Sequence, residues 1–509
     1  MSKVVSDTFH SYITSKLQFI QKIADHANKH DNMKGLEALG AITLVKPMLV
    51  DINPSIQQAA ALALGRIASD SEEQAETLYS QGIIKEAYEA VKSSKHSYFK
   101  KTVCFLLMSV AKHSAISAGY VTDPDTLSFI SNCVSDFDPI VKEAGSKSIS
   151  QIAKHNKDLA SKVIKSNVLS SLVKCLQDPT ISVKIGSASA LKEISKHTSD
   201  LALEVADAGT IPFLTALISH SDAKLKKVVC SCLENIAKHN VDLAEMVAEA
   251  DIFPKILSCL KDPNLQVREK AACCIKELSK HTAELANIIV HYGGASALVE
   301  YINESVGIMK LPAVLSLGNI GAFDEALAMS VIAAKSILPL KECILNEENE
   351  ALKCQACWAI GTIGKHSSDH AKAVAELDVP KILLEIAMNE SNSKELQKKA
   401  KSALKLIIEI SNHISIVEPL LKVVGMPENI LKYVVGQIAK IIPNSLEAKK
   451  VLLQSEGFKI IQSIKASSGQ KLKDYVDLIN NQFPPEAVQF YSPDYAESLI
   501  KKMEEYNKE

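Results

Sequence analysis

The stretch "IAKHNKDLA" occupies residues 152–160, and nearly the same nine letters, "IAKHNVDLA", return at residues 236–244. Its central Lys–His pair recurs in steps of 42 residues, at His113, His155, His197, His239 and His281, and it returns at His366. Phe323 fills the position between the last two. A fixed period of this length, in a sequence rich in helix formers, predicts a solenoid of stacked helical repeats.

The composition narrows the class of protein. The chain has 509 residues, 47% of them apolar and only 5% aromatic, and its formal net charge is −2. That charge gives no general reason to expect a nucleic-acid partner. No apolar run is long enough to span a membrane, and residues 1–25 contain no uninterrupted apolar core of the signal-peptide kind. We therefore expect a cytoplasmic protein without a membrane partner, in which the 11 cysteines are reduced thiols.

One period divides into three helices. Within residues 197–239, a first helix is predicted from about Thr198 to Gly209, and a second helix carries Pro212 in its first turn. The third runs from about Lys224 to Lys238 with an apolar stripe. Third helices begin with an apolar residue and a cation, as in "VKEAG" (141–145) and "VREKA" (267–271). This pattern resembles the armadillo repeat.

The resemblance implies an all-α fold, a right-handed α-solenoid of armadillo repeats with a helical C-terminal cap. We predict an N-terminal capping helix over residues 1–26 and about nine repeats over 27–412. Residues 413–509 are predicted to hold a degenerate repeat and a helical region with an aromatic tail, which docks on the chain's own last repeats or on a partner.

The recurring histidines are interpreted as structural. Neighbouring helices pack about 8–10 Å apart, whereas metal ligands lie about 2 Å from their ion, so successive repeats cannot share one metal. We predict that each Lys–His pair ends a third helix and bonds the free carbonyls of that helix, and that the next residue caps the following helix. A role in pH sensing is left open.

No catalytic motif is recognisable. The chain has no P-loop, G-x-S-x-G or H-E-x-x-H sequence. Cys354 and Cys357 form one C-x-x-C, which we interpret as core packing because structural zinc sites usually need a second pair of ligands. The sequence therefore predicts a protein that is not an enzyme and has no cofactor and no metal.

A second repeating column is basic. Two interpretations of it stay open: each cation pairs with the acidic loop residue before it (Asp138 before Lys142, Asp222 before Lys226), or the cations form a track for an acidic partner such as a protein tail. The candidate partner-binding residues, called the basic row below, are Lys100, Lys142, Lys184, Lys226, Arg268, Lys310 and Lys353.

Four stretches together are similar to the sperm-associated antigen 6 family. They are "PSIQQAAALALGRIA" (54–68), the Lys–His series, "LKYVVGQIAKIIP" (431–443) and "YSPDYAESL" (491–499). The resemblance implies a non-enzymatic scaffold of the axonemal central apparatus in cilia and flagella, needed for central-pair integrity and motility. It implies tubulin, as central-pair microtubules, and other central-apparatus proteins as partners, in the cytoplasm and cytoskeleton. Self-association along the microtubule is left open.

The alternatives are a cytosolic armadillo scaffold and a peptide-binding adaptor of the nuclear-import type. Import adaptors carry a Trp and an Asn one turn apart on successive third helices. Here no repeat has both. The tryptophan position holds Phe105, Lys147, Ser189, Ser231, Cys273, Leu315 and Trp358, and the asparagine position holds Ser109, Gln151, Glu193, Asn235, Glu277, Asn319 and Thr362.

Overall fold

The computed structural model describes residues 3–92, 94–464, 469–495, 497, 499–500 and 503. All the regular elements in these ranges are helices, which confirms the all-α prediction. The chain divides into two compact units, Met1–Leu278 and Ser279–Glu509. Part of the predicted aromatic tail lies outside the described residues. The first two residues of the predicted capping helix lie outside them as well.

The first unit is a stack of three-helix repeats behind a long first helix, α1 (Lys3–His26). The opening repeat is irregular and includes short 3-10 turns around α2 (Met33–Ala38) and α3 (Ala41–Val45). The remaining helices of this unit are α4 (Pro54–Ala68), α5 (Glu72–Ser80), α6 (Ile83–Lys92), α7 (Ser97–Ala111), α8 (Ala115–Gly119), α9 (Pro124–Val134), α10 (Pro139–Ala153), α11 (Lys157–Lys165), α12 (Leu169–Leu176), α13 (Ile181–Ser195), α14 (Ser199–Asp207), α15 (Thr210–Leu217), α16 (Ala223–Ala237), α17 (Val241–Glu249), α18 (Phe253–Cys259) and α19 (Leu265–Leu278).

The second unit begins with three further repeats and ends in shorter helices. Its helices are α20 (Ala283–His291), α21 (Gly294–Glu304), α22 (Leu311–Phe323), α23 (Glu325–Ala333), α24 (Ile337–Asn346), α25 (Glu350–Gly364), α26 (Ser368–Ala375), α27 (Val379–Met388), α28 (Lys394–Ile410), α29 (Ile414–Leu421), α30 (Glu428–Ile441), α31 (Leu446–Gln454), α32 (Gly457–Gln462), α33 (Gln470–Asn480) and α34 (Pro485–Tyr491).

The corner between first and second helices repeats with the period. Gly209 and Gly293 stand there with φ of 77° and 79°, in the left-handed region where a side chain is disfavoured. Asp251 takes the same conformation between them, with φ of 54°. Further corners with positive φ are at Gly40, Gly82, Asn167, Lys335 and Asp378. The third repeat differs, because α8 is short and the chain turns through Asp123 and Pro124 into α9.

Third helices form the spine of each unit. In the first unit α4, α7, α10, α13, α16 and α19 each pack on the next, and α1 packs on α4 in the same way. Their buried side chains are small and aliphatic, as in α13, where Val183, Ala188, Leu191 and Ile194 are fully buried. Close helix packing of this kind depends on small and branched apolar residues. α1 thus takes the place of a third helix, and its role as a cap stays a prediction.

The second unit has a spine of its own, which extends beyond its regular repeats. α22, α25, α28, α30 and α33 follow one another as packed neighbours. The aromatic tail folds back on the same unit: the Phe458 ring lies 4.6 Å from that of Phe483 and 5.4 Å from that of Tyr491. The Tyr491 hydroxyl donates to the carbonyl of Leu453 at 3.1 Å. Of the two expected docking surfaces, the described part of the tail uses its own chain.

Candidate functional site

The basic row lies at the start of the third helices, and most of its members make ion pairs between repeats. Lys100 pairs with Asp136 at 2.8 Å, and Lys142 pairs with Asp178 at 2.8 Å, in each case 36 residues further along the chain. Lys226 pairs with Asp262 in the same register, and Lys310 pairs with Glu347 at 2.6 Å. These four pairs therefore join a third helix to the loop before the next one.

Local pairing of each cation with the preceding acid is wrong. Asp138 instead caps its own helix, because its carboxylate accepts from the Ile140 amide at 2.9 Å. Asp222 does the same for the Leu225 amide at 2.8 Å. Helix N-termini expose unpaired N–H groups that such side chains satisfy, so these acids are already engaged. Lys142 and Lys226 pair instead with a carboxylate from the next repeat.

The paired acids have a second function in the loop. Asp178 accepts from the Thr180 amide at 2.9 Å and is only 5% exposed, so it fixes the turn into α13 as well as binding Lys142. Burial alone would raise the pKa of Asp178, but the hydrogen bonds from Lys142 and Thr180 lower it below its usual value. The pKa of Asp136 is lowered for the same reasons, with Lys100 as the cation.

The remaining row members have different surroundings. The residues 36 positions after Lys184 and Lys353 are His220 and Asn389, so neither cation meets a carboxylate there. Both side chains are half-buried. The row also has an unforeseen member: Lys16 in α1, two periods before Lys100, pairs with Asp51. Partner binding by the seven row residues stays a prediction, and the ion pairs neutralise much of their charge.

The recurring histidines bond the neighbouring repeat. The Nε2–H of His155 donates to the carbonyl of Ala111, at the end of α7, over 2.7 Å. The same bond of 2.7 Å joins His113 to Ala68, His197 to Ala153, His239 to Ser195 and His366 to Gly321. Each acceptor is the end of the preceding third helix. The prediction that the histidine serves its own helix is therefore wrong in this respect, although the target is an unpaired helix carbonyl as expected.

The lysines of some pairs act in parallel, whereas Lys196 pairs with Glu193 on its own helix. Lys154 Nζ donates to the Lys112 carbonyl at 2.8 Å, and Lys238 Nζ donates to the Lys196 carbonyl at 2.7 Å. The residue after the histidine caps the next first helix, as predicted: Asn156 accepts from the Leu159 amide at 2.9 Å. One short sequence thus ends one third helix, bonds the end of the preceding third helix and caps the start of the next first helix. Its recurrence follows from this geometry.

The comparisons agree with this architecture. An armadillo/β-catenin-like repeat model matches residues 198–238, and a HEAT repeat model matches residues 252–282. The crystal structure of an engineered protein superposes with a TM-score of 0.71 over 77% of this chain and 94% of that chain, at 20% identity, which shows a shared fold. The fold is an armadillo-repeat solenoid.

Two curated proteins are similar in sequence. Sperm-associated antigen 6 of Mus musculus is 40% identical over 167 residues, which cover 33% of this chain and 32% of that protein. Sperm-associated antigen 6 of Homo sapiens is 38% identical over the same shares of both chains. The match therefore spans about a third of the length of these relatives. It confirms the resemblance drawn from the sequence motifs.

An apolar slot lies on the exposed side of the third helices α7 and α10. This side of the third helices is called the third-helix face below. Phe105 and Met108 of α7 border a cavity of about 260 Å³, with Lys101 and Lys147 at its rim. Phe105 packs closely on α4, since a Cβ at Gly65 would sit 2.7 Å from its ring. Sequence reasoning noted the aromatic position but not the glycine, which precedes it by 40 residues.

The second unit repeats this arrangement in its own stack. Trp358 of α25 is half-buried against α22, where a Cβ at Gly318 would overlap the indole. The spacing from glycine to aromatic residue is again 40. At both positions the ring lies where the neighbouring third helix has a glycine and therefore no side chain. This pairing of glycine and aromatic residue is a signal that the sequence contained.

Among the described residues, no group of three or more potential ligands is arranged to hold a metal ion. Cys354 and Cys357 are buried free thiols in α25, and burial raises the pKa of Cys357 to about 12. Both are therefore core side chains, as interpreted from the sequence. Within the same part of the chain, no helix has the length and apolar character needed to cross a membrane. Armadillo solenoids are typically scaffolds that bind other proteins.

Proposed function

We propose that this chain is a non-enzymatic scaffold of the axonemal central apparatus, which binds central-pair microtubules and associated proteins and supports ciliary and flagellar motility. The similarity to sperm-associated antigen 6 of mouse and human supports this proposal, because their name places those proteins in sperm. The fold supports the type of role, since a stack of repeats offers an extended surface to other proteins.

The observation that carries a microtubule partner is the charge and shape of the third-helix face. Lys101 and Lys147 are exposed, and they flank the apolar slot of Phe105 and Met108. Lys147 pairs with Glu143 on its own helix, while the Ser182 hydroxyl also occupies that carboxylate at 2.7 Å. Cations beside an apolar slot suit an acidic segment that also presents a hydrophobic side chain. The partner that the resemblance implies is tubulin, and the proposed contact is with an acidic segment of it.

The same face argues against the import-adaptor alternative. Those adaptors receive basic signals in acid-rimmed grooves lined by tryptophan–asparagine pairs. Here a lysine-flanked slot would repel a basic signal. The asparagine position is also occupied internally: Asn235 donates to the Lys192 carbonyl at 3.1 Å, and Thr362 donates to the Gly318 carbonyl at 3.3 Å.

The test is co-sedimentation of the full chain with taxol-stabilised microtubules, together with localisation of a tagged copy in ciliated cells. We expect the Lys101→Glu, Lys147→Glu double variant to weaken microtubule binding by about tenfold, because two favourable contacts become repulsive. The matched control is Lys157→Glu, Lys165→Glu on α11, which changes the same charge outside the third-helix face. An equal loss of microtubule binding in both variants would show that only the net charge of the chain matters.

The basic row needs a separate variant. Reversal of Lys142 or Lys226 would also break an ion pair between repeats, so a loss of binding would be ambiguous. Lys184 lacks a carboxylate at the equivalent place and is therefore the cleaner position. If Lys184→Glu binds microtubules as well as the parent chain does, the row is structural. A tagged copy distributed through cytosol or nucleus, and absent from the axoneme, would contradict the proposed function itself.

A further inference from the structure

A cleft lined by tyrosines lies in the first unit, on the side of the first and second helices. Its volume is about 430 Å³, and it is formed by α5 and α6 of one repeat and by the chain after α8 and the start of α9 in the next. The rings of Tyr79 and Tyr120 stack with centroids 4.0 Å apart and planes 7° apart. We call this site the tyrosine cleft.

The local chain path explains why the cleft occurs here. The first helix α8 has five residues, where α5, α11 and α14 have nine. The shorter helix leaves Tyr120 in the turn that follows it. Asp123 then begins α9 by accepting from the Thr126 amide at 2.9 Å. The cleft is therefore a departure from the repeat, and departures of this kind in an otherwise regular array are typical of binding sites.

The aromatic walls are fixed and partly open to solvent. Tyr79 is 49% exposed, although its face is held by Tyr120. Tyr88 on the opposite wall is nearly buried, and its ring meets the edge of Phe129 at 6.3 Å. Rigid aromatic rings with an accessible face bind partners at a low cost in conformational entropy.

The rim of the cleft is acidic. The exposed carboxylates of Glu89, Asp123 and Asp125 line it. The pKa of the Tyr120 phenol is raised by desolvation and then by the carboxylates of Glu76 and Glu72, which places two more acids nearby. The local cations are Lys85 and Lys92. The residues that line the cleft include three carboxylates and one ammonium group, that of Lys85, so the lining has a net charge of −2.

One ammonium group already lies against a ring at this site. Lys92 Nζ is 5.4 Å from the centroid of Tyr88, within the range of a cation–π contact. The tyrosine faces and the carboxylates around them therefore present a surface that attracts cations twice over, through the ring quadrupole and through formal charge. The third-helix face of α7 and α10 has the opposite character, with Lys101 and Lys147 beside an apolar slot.

We propose that the tyrosine cleft binds a lysine- or arginine-rich segment of a partner protein, with one cationic side chain seated against Tyr79 and its neighbours. The rim carboxylates bind the flanking cations of that segment. The same repeats then hold an acidic partner on one side and a basic partner on the other. This assignment is independent of the proposed axonemal function, because it needs neither microtubules nor a ciliated cell.

The test uses the full chain and fluorescein-labelled peptides in anisotropy titrations. The probes are an arginine–serine repeat, a lysine–serine repeat, the same lysine peptide with every amine acetylated, and a glutamate–serine repeat. We expect the two cationic peptides to bind and the acetylated and acidic peptides not to bind. Tyr79→Ala should weaken binding by about tenfold, from the loss of one ring face. The matched control is Tyr98→Ala, a 57% exposed tyrosine on α7 outside the cleft.

A second variant tests the charges without altering the aromatic walls. Glu89→Gln combined with Asp125→Asn should weaken binding and flatten its dependence on salt concentration, because fewer ions are displaced. This variant decides the matter if Tyr79→Ala fails to fold by circular dichroism. Unchanged affinity in the double variant would then overturn the proposal.

Three further outcomes would also overturn it. Equal loss in the Tyr79 and Tyr98 variants would show that the cleft has no special part in binding. Equal binding of the acetylated lysine peptide would show that charge is not recognised. Absence of binding by both cationic peptides would show that the cleft does not take a basic segment.

Discussion

Replacement of His155 by alanine tests the central role of the Lys–His pair. In the structure its imidazole donates to the Ala111 carbonyl at 2.7 Å, across the junction between α10 and α7. Ala111 itself is buried, so its carbonyl has poor access to water. Leaving such an acceptor without a donor costs about 1–3 kcal/mol. The parallel bond from Lys154 to the Lys112 carbonyl remains, so the loss stays local.

Hydrogen exchange followed by mass spectrometry is the appropriate assay, because repeat arrays unfold in parts and one global free energy is not well defined. A loss of 1–3 kcal/mol corresponds to about 5- to 150-fold faster exchange where local opening limits the rate. We expect this increase at the end of α7 and in α10 and α11. His96→Ala is the control, since His96 is exposed and lies before α7.

The predicted role of His155 is wrong if exchange in these helices changes less than about twofold, or if His96→Ala has the same effect.

The pH dependence of stability provides a second check of the role of His155. Desolvation lowers the pKa of His155, the bond to Ala111 opposes this, and Lys154 lowers it further. The folded state therefore disfavours protonation. The contribution of neutral His155 to folded-state stability is fully present at pH values above the ordinary histidine pKa of 6.5. It is lost as pH falls through the lowered pKa of the folded state. His155→Ala should remove this dependence from the α7–α10 junction.

Three other substitutions follow from the same contacts. Lys142→Met removes the cation from the buried carboxylate of Asp178 and should lower the free energy of local opening of α10 and α13 by about 1–3 kcal/mol. Because the pKa of Asp178 is lowered in the fold, the contribution of this ion pair to stability is lost as pH falls below about 3.8. An unchanged exchange rate near pH 7 in Lys142→Met would contradict this prediction. Gly318→Ala should push Trp358 towards solvent and red-shift the fluorescence of this single tryptophan. Overpacking at this position should lower the stability of the unit by about 1–3 kcal/mol. An unshifted spectrum would show that α22 and α25 move apart instead. Asn156→Ala removes the cap of α11 and should destabilise that helix by about 1 kcal/mol, with Asn156→Ser restoring most of it in the same exchange experiment.

The sequence indicated the repeating columns but not the partners of their members. The basic row was visible because Lys100, Lys142 and Lys226 recur with the period. A second column, Asp136, Asp178 and Asp262, repeats with the same period 36 residues later, and this signal was available. Its meaning depends on which loop faces which helix in the next repeat. That relation is a property of the stack and is absent from any single repeat.

The histidines show the same division. Their position at the ends of third helices was predictable, because a Lys–His pair followed by a capping residue matches the chemistry of helix ends. The choice between the helix's own carbonyls and those of its neighbour was not, since both are unpaired and both are near. The tyrosine cleft gave no periodic signal at all. Tyr79 and Tyr120 meet only because α8 is short.

The amino-acid sequence by itself determined the helical class, the period of 42 and the three-helix unit, because these depend on local propensities and on apolar spacing within one repeat. Only the tertiary structure decided which side chain reaches which neighbour. Ion pairs, histidine bonds and aromatic slots all cross from one repeat to the next, over about 36 to 45 residues. Their geometry follows from how far each repeat is displaced from the last, and stacking contacts along the spine of each unit set that displacement.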